Sequence, residues 1–333
     1  MTSEKKKTKS AAGTEITKRS KKGWNKQSVL AFGMAVVPFI GFLIFSIFPL
    51  VISFIALFCN VNLHNLFDIQ WNDFAGFKSV FVPRYAFELF GFDLAKYFYK
   101  SIWITLWIAS TQIVTLLISL VISALLAQKL KGSKVFQVLF FIPYICSGVA
   151  VAMMWKWIFN AKAGILNTIF GTNVDWLHNP QTMTWCIIVA IIWQAPGYGI
   201  AMYKSAINNV GSSLYEAASL DGANGFQKFW HVTVPSIAPT TFYLLLSGIS
   251  AGLLTYDIAV LVIEDAWGIP GGEGSMGLTM MRLVYFLMTN TNTTDSNGVS
   301  YMVSCAAVVS WLLFIVTAVL SIIVFKKRQK SME

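Results

Sequence analysis

Six apolar runs, at about 29–59, 101–127, 135–159, 183–203, 236–263 and 300–325, constrain this chain more than any other feature. A helix needs roughly 20 apolar residues to cross a bilayer core, and each run meets that length. Backbone N–H and C=O groups in hydrocarbon must be satisfied within the segment, so runs of this length are expected to be helices. The predicted fold class is therefore all-α integral membrane, a bundle of six transmembrane helices. Composition agrees: 56% of residues are hydrophobic and only 12% are charged, with a mean hydropathy of +0.63. A soluble domain does not expose so few charges. The first run exceeds the crossing length and contains Pro38 and Pro49, which predicts tilt or a kink.

The net charge of +10 does not point to nucleic acid, because the basic residues cluster at the ends of the apolar runs and no nucleic-acid module is visible. Of the 25 Lys and Arg residues, 18 lie in segments 1–26, 128–134, 204–235 and 326–333, and 7 lie in 60–100, 156–182 and 264–299. The positive-inside rule then places both termini and the 204–235 loop in the cytoplasm, in a chain surrounded by membrane lipid. Residues 1–28 are expected to be a basic, disordered cytoplasmic tail, 29–325 the transmembrane domain, and 326–333 a second cytoplasmic tail. The first apolar run is too long for the core of a cleavable signal peptide, so none is expected.

Several chemistries lack their residues. Cys59, Cys146, Cys186 and Cys305 sit in or beside apolar runs with no C-x-x-C spacing and are expected to be small core residues. His64, His178 and His231 are far apart and form no metal spacing, so no metal site is expected. No G-x-x-x-x-G-K-[ST] occurs, so the chain is not expected to cradle ATP or bind any other cofactor itself. Gly272, Gly274 and Gly277 spell G-x-G-x-x-G, but in an outside loop with no βαβ unit, which reads as a flexible or re-entrant loop.

One polar stretch stands out. Leu214 to Leu220 is Ala-rich and free of β-branched residues, which favours helix. Gly222 and Gly225 supply the freedom to end it, and Phe226, Phe229 and Trp230 fall three and four apart on a second short helix. Pro235 and Pro239 mark entry to the next run. Helix, glycine turn, helix on a membrane surface suits either a docking element or an interfacial loop with aromatics at headgroup depth. Elsewhere, Asp257 is the one acidic residue well inside an apolar run, and should face the bundle interior, a partner or a water cavity, or else cap a helix near the interface. Trp193-Gln194-Ala195-Pro196-Gly197-Tyr198-Gly199 predicts a mid-membrane helix break, either lining a substrate path or forming a packed kink. Trp155 to Asn160 reads as an aromatic belt with a snorkelling Lys156.

In order, Glu216-Ala217-Ala218-Ser219-Leu220-Asp221-Gly222-Ala223 and the later Val232-Thr233-Val234-Pro235 resemble the EAA loop of bacterial ABC importer permeases. Trp155, Trp157, Phe159, Gly164 and Asn167 are similar to a pattern in the carbohydrate branch, of maltose and glycerol-phosphate type, as are Trp193-Gln194, Pro196-Gly197 and Gly199. Phe48-Pro49-Leu50 and Phe74-Ala75-Gly76-Phe77 extend the resemblance over about residues 30–325. Two stretches depart from it: Val210-Gly211-Ser212-Ser213 replaces the usual I-P entry, and Ile269-Pro270-Gly271-Gly272 replaces an outer L-T-G-G-P loop. The resemblance implies a permease subunit of a binding-protein-dependent importer in a bacterial cell membrane, moving a sugar, oligosaccharide or polyol by alternating access. It implies a homologous second permease, two ATP-binding subunits carrying ATP-Mg, and an extracellular or periplasmic solute-binding protein. Glu216, Ala217, Ala218, Asp221, Gly222, Ala223 and Pro235 are then the expected ATPase-docking residues, and Gln194, Pro196, Gly197 and Asp257 the substrate-pathway candidates. A permease for a non-sugar solute, an ion-coupled secondary transporter and an intramembrane enzyme are the rival readings. The second would need intramembrane acid or base chains and the third a nucleophile–base or metal cluster.

Overall fold

The computed structural model describes residues 26–62, 65–85, 91–128, 131–263, 275–289 and 301–330. The tail before residue 26, His64, Gly272 and Gly274 of the glycine cluster, and the rest of the segment 264–274 lie outside those residues. Residues up to 52 and from 53 onward are separate compact units. The first holds α1 (Lys26–Phe42), a π-turn over Leu43–Ile47 and the start of α2 (Phe48–Ile55). The π-turn has a local cause. Pro49 has no N–H to give to residue 45, and the ladder shifts to a wider bond, from Phe48 N–H to Leu43 O.

The second unit begins with a departure from a purely helical expectation. The stretch after α2 contains an antiparallel hairpin of β1 (Cys59–Asn62) and β2 (Asn65–Trp71), with Cys59 opposite Trp71 and Val61 opposite Ile69. Phe67-Asp68-Ile69-Gln70-Trp71 alternates apolar and polar, a period-two pattern that the search for long apolar runs passes over. A short helix α3 (Ala75–Phe81) follows, and Gly76 sits against Ser304, where a side chain would collide with its hydroxyl. Asn72 Nδ2 donates to the same hydroxyl at 2.7 Å.

The rest is helical. In chain order come α4 (Leu94–Ala127), α5 (Ser133–Ile145), α6 (Gly148–Ile158), α7 (Ile165–Phe170), α8 (Met183–Gln194) and α9 (Pro196–Asn208). Then follow α10 (Ser212–Leu220), α11 (Gly225–Lys228), α12 (Ala238–Leu253), α13 (Asp257–Val262), α14 (Met280–Thr289) and α15 (Tyr301–Lys330). Among the described residues, five helical segments are long and apolar enough to span a membrane, or six if α5 and α6 count as one. Those two meet at 96°, so the 135–159 run is two helices with a sharp corner at Cys146-Ser147, not one straight rod.

α4 is the spine of this unit. Its buried residues include Ser101, Thr105, Ile108, Thr111, Thr115, Ser119 and Ser123, one stripe at helical spacing. Several of these hydroxyls bond within the helix, as Thr111 Oγ1 does to Ile108 O at 2.6 Å, so small side chains stay satisfied in an apolar bundle. Small residues then let neighbours approach. The Cβ position of Gly252 on α12 lies 2.9 Å from Ala109 Cα, and that of Gly199 on α9 lies 2.6 Å from Ser119 Oγ. Cys186 and Cys305 are buried as expected, but Cys59 is only half-buried and Cys146 is exposed, because it stands at the α5–α6 corner.

Candidate functional site

The 212–236 stretch folds as two helical arms around a glycine. Gly211, at the N-cap of α10, offers no side-chain cap, consistent with the altered entry sequence. At the other end, Ala223 N–H donates to Ala218 O (2.9 Å) and Gly222 N–H to Ser219 O (3.1 Å), the paired bonds of a Schellman motif. Gly222 has φ +76°, a left-handed conformation that L side chains rarely adopt. Gly225 does not share that conformation; it is the first residue of α11, behind Asn224, whose side chain forms a reciprocal capping box with Gln227. The second arm runs from α11 through a π-turn at Phe229–Thr233 and a short turn at Val234–Ser236 into α12. This π-turn repeats the device before Pro49: Pro235 has no N–H to give to residue 231, and the N–H of Val234 just before it reaches back to Phe229 O.

Of the expected docking residues, Glu216, Ala217, Asp221, Gly222 and Pro235 are exposed and Ala218 and Ala223 are half-buried. Leu220, at the tip, is 90% exposed and Phe226 is 72% exposed. Apolar groups presented this openly beside a rigid turn form a knob suited to a protein groove. Tyr215 and Lys228, which the motif leaves out, hold the arms together with Thr233 and Ser219 of the motif, through Tyr215 Oη–Thr233 Oγ1 (2.9 Å) and Lys228 Nζ–Ser219 Oγ (2.7 Å).

A second site lies where the fifth span breaks. The break falls between α12 and α13, at Leu254-Thr255-Tyr256, rather than in the fourth span, where the proline and glycines predicted it. Across Ala195 the fourth span continues, with helical φ −71° and ψ −30° and Ala195 N–H donating to Ile191 O at 2.8 Å. Pro196 stands at the first position of α9, where its fixed φ suits helix. Gly197 serves close packing instead, its Cβ position lying 2.7 Å from Phe140 O and 2.8 Å from Tyr144 Cβ. Both Pro196 and Gly197 are buried, and Pro196 lines an apolar cavity of about 480 Å³ with Trp155 and Trp193.

Gln194 and Asp257, by contrast, come together. They line one cleft of about 340 Å³ with Gly148, Ala195, Thr255 and Tyr256. The α5–α6 corner brings the start of α6 to this cleft, and the Cβ position of Gly148 lies 3.4 Å from Asp257 Oδ2. Gln194 Nε2 donates to Cys146 O at 3.3 Å across the same corner. Asp257 opens α13, and Arg282 closes it: Arg282 is 1% exposed and donates to Ala259 O (2.6 Å) and Ile263 O (3.0 Å). A carboxylate at the N-terminus and a guanidinium at the last carbonyls match the two ends of the helix dipole. By charge counting Arg282 is only a loop charge, yet a lone Arg within the apolar stretch 276–288 is the signal that marks it in the sequence.

The carbohydrate-type pattern after α6 has a structural explanation. Asn167, 5% exposed, donates to Ala161 O (2.9 Å) and Val174 O (2.8 Å), and accepts from Thr172 Oγ1 (3.0 Å) and Trp176 Nε1 (2.8 Å). Gly164 leaves no room for a side chain beside the Asn160 carbonyl. Trp155 stacks on Phe159, while Trp157 is exposed as a belt residue would be.

The family described as binding-protein-dependent transport system inner membrane component matches residues 116–329. A probable ABC transporter permease, YesP of Bacillus subtilis, is 27% identical over 325 residues, covering 94% of each chain. The lactose transport system permease LacF of Rhizobium radiobacter is 30% identical over 202 residues, 59% of this chain and 64% of LacF. The sn-glycerol-3-phosphate permease UgpA of Salmonella choleraesuis is 30% identical over 54% of this chain and 61% of its own. A crystal structure of a bacterial ABC transporter that imports the acidic polysaccharide alginate shares the fold, with a TM-score of 0.72 at 20% identity, covering 92% of this chain and 98% of that one.

Proposed function

This chain belongs to the binding-protein-dependent transport system inner membrane components, a multi-pass membrane family, and on that premise we propose that it is the permease subunit of an ATP-driven importer for a sugar, oligosaccharide or polyol. The observation that carries the reading is the exposed elbow, a rigid Schellman turn at Gly222 presenting Glu216, Ala217, Asp221 and Leu220. A relative named for lactose, another named for xylose and arabinose, and the alginate importer support a carbohydrate solute. A homologous second permease completes the pathway, two cytosolic subunits bind and hydrolyse ATP-Mg, and an external solute-binding protein delivers the solute. A neighbouring structure was solved with a pentasaccharide-bound periplasmic protein, which supports the last of these partners. Closure of the ATPases moves the elbow, and the spans switch between inward- and outward-open arrangements.

The test is reconstitution of the chain with the proteins encoded beside it, followed by uptake of labelled lactose, xylose and glycerol phosphate into vesicles. Uptake that requires ATP and is blocked by vanadate supports the reading. Uptake driven by a proton or sodium gradient without ATP overturns it in favour of a secondary transporter.

Orientation gives a second test. With the native cysteines removed, a cysteine replacing Ser219 is expected to resist an impermeant maleimide in intact cells and to react in inverted vesicles. Labelling from outside intact cells would reverse the proposed topology.

The cleft at the fifth-span break is the proposed solute contact. Gln194→Ala is expected to lower uptake about fivefold, and Asp257→Asn about tenfold, the size of one neutral and one charged hydrogen bond. Yield of the assembled complex should stay normal in both. Full uptake by both variants would leave these side chains with structural roles only.

A further inference from the structure

No residue of α10 is fully buried and only Tyr215 and Ala218 are half-buried, so little apolar packing fixes it to the bundle. Beneath it lies a cleft of about 450 Å³ lined by Ala124, Gln128, Asn208, Tyr215, Lys228 and Thr233. A surface helix over an open cleft would rock unless something ties it down, and two polar ties cross this gap. Tyr215 Oη meets Thr233 Oγ1 at 2.9 Å, and Lys228 Nζ donates to Ser219 Oγ at 2.7 Å. They differ in environment. The Lys228–Ser219 pair is exposed, where water competes for both groups, whereas Thr233 is buried at the end of the π-turn. From Thr233 the chain continues through Val234–Ser236 directly into α12. The π-turn therefore sets the direction in which the Thr233 hydroxyl points.

We propose that the Tyr215–Thr233 hydrogen bond is a positioning strut that makes α10 move as one body with the fifth span, so that displacement of the elbow reaches the break before Asp257 undamped. This rests on the permease reading. It assigns to two uncharged side chains, outside the exposed knob, the transmission of motion rather than the docking itself.

The test uses the full-length chain on a cysteine-free background in lipid nanodiscs, with its partner subunits, and spin labels at Ser213→Cys on α10 and Ala251→Cys on α12. Pulsed electron–electron resonance reads the width of the distance distribution without nucleotide and with ATP plus vanadate. Otherwise unaltered protein is expected to give one narrow distribution of the same centre in both states. Tyr215→Phe and Thr233→Val should each broaden it about twofold, the double variant should broaden it no further, and Thr233→Ser should restore the narrow form. Unchanged widths in both single variants overturn the strut, as does broadening by Thr233→Ser equal to that by Thr233→Val. Widths that add in the double variant also overturn it, because the two groups would then act separately. The same widths measured without the ATPase subunits separate the two readings: the strut is present there even if docking fails, whereas loss of ATPase co-purification from unaltered protein speaks against docking alone.

Discussion

Gly222→Val is expected to leave the chain inserted in the membrane and to cut solute uptake to below about a tenth. The cause is backbone conformation. Gly222 holds φ +76° at the turn that closes α10, and a β-branched residue there is strained by about 1–3 kcal/mol, or roughly 5- to 150-fold in the population of the native turn. Among the described residues, apart from its own chain neighbours, nothing lies within 4 Å of the Cβ position, so the substitution meets no clash there. That open space faces outward, where the proposed ATPase surface would sit. The two contributions are separable, because Asn tolerates the left-handed conformation better than Val. If the backbone dominates, Gly222→Asn retains more coupling than Gly222→Val; if the partner's surface dominates, both fail alike. Co-purification of the ATPase subunits, ATP hydrolysis rate and uptake are the measurements. Unaltered values for all three in Gly222→Val would remove the docking assignment.

Gly197→Leu is expected to act through stability instead. Its Cβ position lies 2.7 Å from Phe140 O, 2.8 Å from Tyr144 Cβ and 3.3 Å from Phe141 Cα, so two of the three obstacles are backbone atoms that cannot rotate aside. Overpacking of this kind costs about 1–3 kcal/mol, which lowers the melting temperature of the solubilised protein by about 2–4 °C. Gly225→Ala is the control, since Gly225 is helical and nothing stands within 4 Å of its Cβ position. Fluorescence-detected size exclusion after heating compares the two. Equal melting temperatures would show that the α5–α9 seam is looser than its distances indicate.

Much of this molecule is legible in its residues. Long apolar runs mark the helices because hydrocarbon leaves the backbone no other way to satisfy its polar groups. The elbow is legible too: Ala-rich helix, Gly222 and Asn224 form a local signal, and capping depends on neighbours within a few positions. Glycines within the runs are harder to read. Gly197 and Gly199 look like a break beside Pro196, yet they stand in unbroken helix and serve contacts with α5 and α4, more than 50 positions away from their own in sequence for Phe140 and Ser119. The actual break, at Leu254-Thr255-Tyr256, contains neither proline nor glycine. It is stabilised from a distance, by Thr279 Oγ1 donating to Thr255 O (3.1 Å) and by Arg282 on the carbonyls of α13.

Sequence by itself therefore determined the helical membrane class, roughly where the long apolar helices fall, and the turn that shapes the elbow, all consequences of local geometry and of solvation along the chain. Only the tertiary structure decided which small residues face one another, where the fifth span interrupts, that Gln194 and Asp257 share a cleft while Pro196 and Gly197 do not, and that Tyr215 reaches Thr233. The physical reason is that a hydrogen bond or a close helix contact depends on two positions at once, whereas hydropathy and turn chemistry can be read one position at a time.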